Sequence, residues 1–265
     1  MTLAIYCVLV VLASLLGGAL PSRFRLTHTR LQVTVSFVAG LMLGVALLHM
    51  IPHAAHYTSI DGTARWAVGG LLVMFFLIRL FHFHEHEVGM GHGEGEEAPL
   101  SPAPPHPHSL GWVGVAIGLS IHSAIDGVAL ASSTLAEEEH GAVAGIGTFL
   151  AVFLHKPLDA LAITSLMAAS GWPSRTRRIV NVGFALICPL GAALFSLGAG
   201  TGSDALLGAA LAFAAGAFLC ISLGDLLPEV QFHRHDRLKL SLALLLGVAI
   251  AYGVTFLEHG MHGVE

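Results

Sequence analysis

The chain has 265 residues, 55% of them hydrophobic and only 11% charged, with a formal charge of −5 and a mean hydropathy of +0.77. A soluble fold of this length would spread charge over its surface, so the composition excludes an ordinary water-soluble domain and calls for lipid. Seventeen histidines outnumber the twelve Lys and Arg residues, and the three cysteines (Cys7, Cys188, Cys220) sit unpaired in apolar runs. Neither a disulfide framework nor a cysteine-based zinc site is suggested, whereas imidazole ligands for a borderline metal are plentiful.

Apolar windows of membrane-crossing length predict eight helices, near 2–20, 31–56, 65–83, 110–135, 142–170, 179–200, 205–231 and 239–258. Nothing basic precedes the first window, and Arg23, Arg25 and Arg30 follow it, the reverse of a secretory signal. It is therefore expected to remain as helix one. Every Lys and Arg except Arg65 and Lys156 falls on an odd-numbered connection, Arg79 among them at the end of helix three. The positive-inside bias then makes those connections cytoplasmic and both termini extracytoplasmic.

The long connection at 84–109, with His82 and His84 at its start, carries His86, His92, His106 and His108 around Glu94, Glu96, Glu97, Pro102, Pro104 and Pro105. Such a composition predicts disorder and suits a cytoplasmic metal-collecting loop, a solvated linker being the alternative. The expected organisation is thus helices one to three in 1–83, the loop in 84–109, helices four and five with the metal site in 110–170, and helices six to eight in 171–265. Glu137, Glu138, Glu139 and His140, on the outward-facing connection of helices four and five, read as a solvated acidic turn, a metal-attracting entrance being the alternative, and His259 and His262 at the C-terminus read in the same way.

Two internal repeats stand out. Phe37, Gly40, His49, Pro52 and His53 recur at one constant offset as Phe213, Gly216, Asp225, Pro228 and Glu229. Helices two and seven run in opposite directions on the expected topology, which predicts an inverted duplication of helices one to three as six to eight. The second repeat is shorter: His122 and Asp126 in helix four match His155 and Asp159 in helix five.

Residues i and i+4 share a helical face, so each His-x-x-x-Asp motif presents an imidazole and a carboxylate together. Both motifs lie near the middle of their windows, where an uncompensated carboxylate is costly. A dication held by His122, Asp126, His155 and Asp159 would satisfy them in a neutral N2O2 set that fits zinc and its neighbours. Lys156 is expected to stand in for a second cation by pairing with a site carboxylate, which predicts one main site. Gly127 and Pro157 are expected to loosen the backbone at this level. Ser123, His49, His53, Asp225 and Glu229 are secondary or pathway candidates, and the last four, nearer the helix ends, have water within reach.

These residues resemble the ZIP (Zrt-, Irt-like protein) metal transporters over nearly the whole chain. The segment His122-Ser123-Ala124-Ile125-Asp126-Gly127 is similar to that family's helix-four signature, and Gly216 to Glu229, ending Asp225-Leu226-Leu227-Pro228-Glu229, to its helix-seven segment. The resemblance implies an all-α membrane protein of eight helices in a 3+2+3 arrangement, forming dimers in the bilayer. It also implies transport of zinc, with cadmium, iron and manganese as further candidates, toward the cytoplasm by alternating access across a plasma membrane, the inner one in a bacterium. Ser123, Lys156 and Asp225 would occupy the second-metal positions. Helix five departs from the family's His-Glu-x-Pro-His pattern: Lys156 replaces the acidic residue, Pro157 comes one position early, and Asp159 stands where His or Glu is usual. No catalytic cofactor and no nucleic-acid partner is expected. The rival readings are an intramembrane zinc hydrolase, which lacks a His-Glu-x-x-His motif here, and a metal receptor that binds without flux.

Overall fold

A computed structural model describes residues 1–19, 28–82, 111–137, 144–199, 203–226 and 237–261. The described residues are helical, with no strands, and eight helices are long and apolar enough to cross a membrane. They are α1 (Thr2–Ala19), α2 (Thr29–Tyr57), α3 (Ile60–Leu80), α4 (Trp112–Ala136), α5 (Ile146–Ala169), α6 (Ser174–Gly198), α7 (Asp204–Gly224) and α8 (Arg237–Phe256). Each coincides with one predicted window. The histidine-bearing loop at 84–109, Glu138 to His140, Glu229 and His262 lie outside the described residues.

Burial sorts the helices into an inner and an outer set. In α7, 72% of the span is buried, whereas in α3 the figure is 17%. Outer faces carry large apolar side chains such as Leu16, Phe75, Phe76, Leu194, Leu245 and Phe256, all exposed. So much apolar surface is stable only against acyl chains.

Helix pairing has a symmetrical pattern. The most extensive packing is α2 along α8, α3 along α7, α4 along α6 and α1 along α5. Exchanging α1 with α6, α2 with α7, α3 with α8 and α4 with α5 reproduces the same set of pairs. The match extends to single residues: a Cβ on Gly40 would collide with the carbonyl oxygen of Leu244, and one on Gly216 with that of Ala67. Reciprocally, Gly247 meets the Phe37 carbonyl and Gly70 that of Phe213. These glycines let backbones touch, the means by which helices associate in lipid where no hydrophobic force drives them together.

The backbone irregularities obey the same symmetry. A π-helical turn occupies Ala46–Met50 within α2, and another occupies Ser222–Leu226 at the end of α7. In the first, the Ile51 N–H reaches back to the Ala46 carbonyl, one residue further than an α-helical bond. Pro52 follows directly and has no N–H to give, which favours a widened turn at that point.

The expected loosening at Gly127 and Pro157 is not what forms. Gly111–Ala136 and Ile146–Ala169 are each a continuous helix, with Pro157 inside the second. Both residues serve close packing: a Cβ on Gly127 would strike the Cys188 carbonyl in α6, and one on Gly17 in α1 would strike the Pro157 backbone. Helix α6 is the interrupted one, divided at Leu186 between Ser174–Ala185 and Ile187–Ala199.

Candidate metal centre

Four side chains from α4 and α5 converge half-way along their helices. Ligand atoms of His122, Asp126, His155 and Asp159 all lie within 4.8 Å of one another. Nε2 of His155 is 3.2 Å from Oδ2 of Asp126 and 3.8 Å from Oδ2 of Asp159. Nε2 of His122 is 3.7 Å from that same Asp159 oxygen, while its Nδ1 faces Oδ1 of Asp126 at 3.4 Å. The two imidazoles stack with centroids 5.2 Å apart. His122, Asp126 and His155 are buried and Asp159 is partly open, its side chain 14% exposed.

The hydrogen-bond pattern gives this cluster a direction. Nδ1 of His155 lies 2.8 Å from the Ala151 carbonyl one helical turn back. A carbonyl only accepts, so Nδ1 carries the hydrogen, and this contact fixes the ring with Nε2 turned toward Asp126, within hydrogen-bond distance, and toward Asp159. Nδ1 of His122, Oδ1 of Asp126 and Oδ2 of Asp159 are buried without a hydrogen-bond partner, as is the hydroxyl of Ser123. Buried acceptors are ordinarily satisfied, so this concentration of unsatisfied ones has the character of a metal-ligand set.

Lys156 supplies a fixed cation at this level. It is fully buried, donates a 2.5 Å hydrogen bond to Oδ2 of Asp126 and stands 3.6 Å from Oδ2 of Asp159. Its ammonium lies over the Phe184 ring, 5.5 Å from the centroid. A buried charge without a partner costs several kcal/mol, so Lys156 and Asp126 hold each other in place.

A second cluster lies toward the far end of α4. Ligand atoms of His49, His53 and Glu137 also converge within 4.8 Å. His49 is buried rather than within reach of water, and Glu137, taken from sequence as part of a solvated turn, is 1% exposed. Glu137 is tied on both oxygens: Oε1 accepts from Ser133 at 3.0 Å and lies 2.8 Å from Nε2 of His49, and Oε2 accepts the Gly145 N–H at 2.9 Å. Gly145 adopts φ +70, and a Cβ there would also crowd Thr134, so only glycine brings this N–H to the carboxylate. Burial pushes the Glu137 carboxyl up, but the His49 hydrogen bond and charge and the Gly145 N–H outweigh it and hold the group below the usual carboxylate range. Sequence reading grouped Glu137 with the connection, although it continues the α4 stripe of His122, Asp126 and Ser133 at helical spacing. Asp225 falls in the π-helical turn at the position equivalent to His49.

Residues 82–255 match the family described as ZIP Zinc transporter, which is more than half of the chain. The chain belongs to the ZIP zinc transporter family. It is 31% identical over 152 residues to human Zinc transporter ZIP3, a stretch covering 54% of this chain and 45% of that protein. Zinc transporter ZIP9-B of Xenopus laevis is 32% identical over 126 residues, covering 45% of this chain and 41% of its own length. Zinc transporter ZIP9 of Micropogonias undulatus is likewise 32% identical over 126 residues, covering 45% and 40%. The chain thus matches less than half the length of each of these relatives. Both clusters include residues inside the ZIP match, while His49 and His53 precede it.

Proposed function

We propose that this chain carries a divalent transition metal, zinc foremost, across the membrane toward the cytoplasm by alternating access through the His122, Asp126, His155 and Asp159 site. The observation that carries the reading is the convergence of these four ligands, with Nε2 of His155 aimed at two carboxylates. They bracket the midpoints of α4 and α5, a depth at which an ion needs protein ligands in place of water. The family assignment and the names of the relatives favour transport over the hydrolase and receptor readings.

The paired symmetry of the helices supports the rest. Alternating access needs two halves that can exchange roles around a fixed site, and the α2–α8 and α3–α7 crossings are such equivalents. On this reading the 3+2+3 arrangement is an inverted repeat enclosing α4 and α5, with the odd-numbered connections cytoplasmic and both termini outside. Lys156 takes the place of a second metal: one dication binds, and the ammonium balances the carboxylates when the site is empty. His53 and His49 belong to the approach, Asp225 and Glu229 to the symmetry-related end, and Ser123 lines α4 beside the ligands.

Purified protein in vesicles loaded with a zinc-sensitive dye tests the reading. Saturable influx, competed by cadmium and abolished in Asp159→Ala, is the expected result. Asp159 is suited to this because its removal leaves Lys156 still paired with Asp126. Influx that Asp159→Ala leaves untouched would reject the site.

A further inference from the structure

The His49, His53 and Glu137 cluster lies where the end of α2 meets the end of α4 and the start of α5. It is about 16 Å from the first site along α4, counted from Asp126 to Glu137 at ~1.5 Å per residue. Along α5 it is nearer: the His49 ring rests against Gly147, two turns or about 12 Å before His155.

The cluster is built as a ligand set. Nδ1 of His53 lies 2.8 Å from the carbonyl of His49, so it donates there, and this contact fixes the orientation of the ring. This repeats the device that orients His155 on the Ala151 carbonyl. The rings of His49 and His53 are 4.7 Å apart. Glu137 supplies a carboxylate held by Ser133 and the Gly145 N–H, the kind of outer support that fixes a ligand's aim. Thr148 from α5 donates to Ser133 at 2.9 Å, which extends the support to a third helix. His53 is only partly buried, so the set is not closed on every side. Two imidazoles and one carboxylate with a remaining open position match a zinc site that exchanges its ion.

We infer that His49, His53 and Glu137 form a second binding site for a divalent transition metal, which loads the ion and passes it to the four-residue site in series. The direction of passage rests on the transport reading above, whereas the existence of the site does not.

The test is zinc content after equilibrium dialysis of the full chain in detergent micelles, with four samples compared: wild type, His49→Asn with Glu137→Gln, His122→Ala with His155→Ala, and all four substitutions together. Histidines of the 84–109 segment are common to all four and cancel in the differences. Each pair is expected to lose one ion relative to wild type, and the quadruple variant two. A folded His49→Asn, Glu137→Gln protein that keeps the wild-type content would overturn the inference. If only the His122, His155 pair keeps its full content, the midplane reading fails and the second site stands. Glu137→Gln retains the oxygen that accepts from Gly145, which favours folding. Should the pair still misfold, His53→Gln at its partly buried position decides: zinc binding at the second site is expected to weaken at least about tenfold, and unchanged binding would overturn the inference.

Discussion

Replacing Lys156 with methionine isolates the role of the fixed cation. Methionine keeps the length and the apolar stem but removes the ammonium that lies 2.5 Å from Asp126 and 3.6 Å from Asp159. A dication bound by those oxygens sits about 4 Å from the ammonium, where unit charges repel by ~4 kcal/mol at an effective dielectric of about 20, and a double charge by ~8 kcal/mol. Swinging the flexible stem relieves much of this in the native protein. If one quarter persists, ~2 kcal/mol, zinc binds the variant about thirtyfold more tightly. The loss of a counter-charge also raises the free energy of the metal-free site, which acts in the same direction. Competition with a chromophoric chelator measures the affinity, and zinc-driven thermal stabilisation should grow in parallel. Equal or weaker zinc affinity in a folded, monodisperse Lys156→Met protein would refute the argument that this ammonium competes with the ion.

Asp126→Asn should do the opposite to stability: it strips Lys156 of its closest partner in a fully buried position, and a loss of about 3–5 kcal/mol is expected in thermal unfolding without metal. Gly216→Ala forces a methyl into the Ala67 carbonyl and should destabilise by ~1–3 kcal/mol, whereas Gly69→Ala, with nothing near its Cβ, should leave the unfolding temperature unchanged or slightly raised. Tyr57→Phe removes the 2.8 Å hydrogen bond to the Ala136 carbonyl that joins α2 to α4, and a loss of ~1 kcal/mol is expected by the same measurement.

What was legible in the sequence follows from physical scale. Membrane spans are long apolar runs, and each predicted window has its helix because lipid leaves the backbone no alternative to internal hydrogen bonding. The pairing of His122 with Asp126 and of His155 with Asp159 was legible because i and i+4 share a face whatever surrounds them. The repeat in α2 and α7 was legible as residue types, but the π-helical turns that it places at Ala46–Met50 and Ser222–Leu226 were not. A proline signals a missing N–H without saying which residue bulges. Partner choice across helices was also hidden: sequence placed Lys156 near two carboxylates, and only packing brings it closest to Asp126. Glu137 was misread because it opens an acidic triplet that looks solvated, while its burial depends on α2 bringing His49 across and on the left-handed Gly145. Gly127 and Pro157 were taken for weak points because their types permit breaks, but Gly127 accepts the Cys188 backbone and Pro157 receives that of Gly17.

The central claim is that ions cross through the His122, Asp126, His155 and Asp159 site. Initial uptake of radioactive zinc into proteoliposomes, measured beside bound zinc in the same preparations of wild type and His122→Ala, tests it most directly. The account predicts that uptake and one bound ion are lost together in the folded variant. Uptake that continues at the wild-type rate after that ion is lost would contradict it.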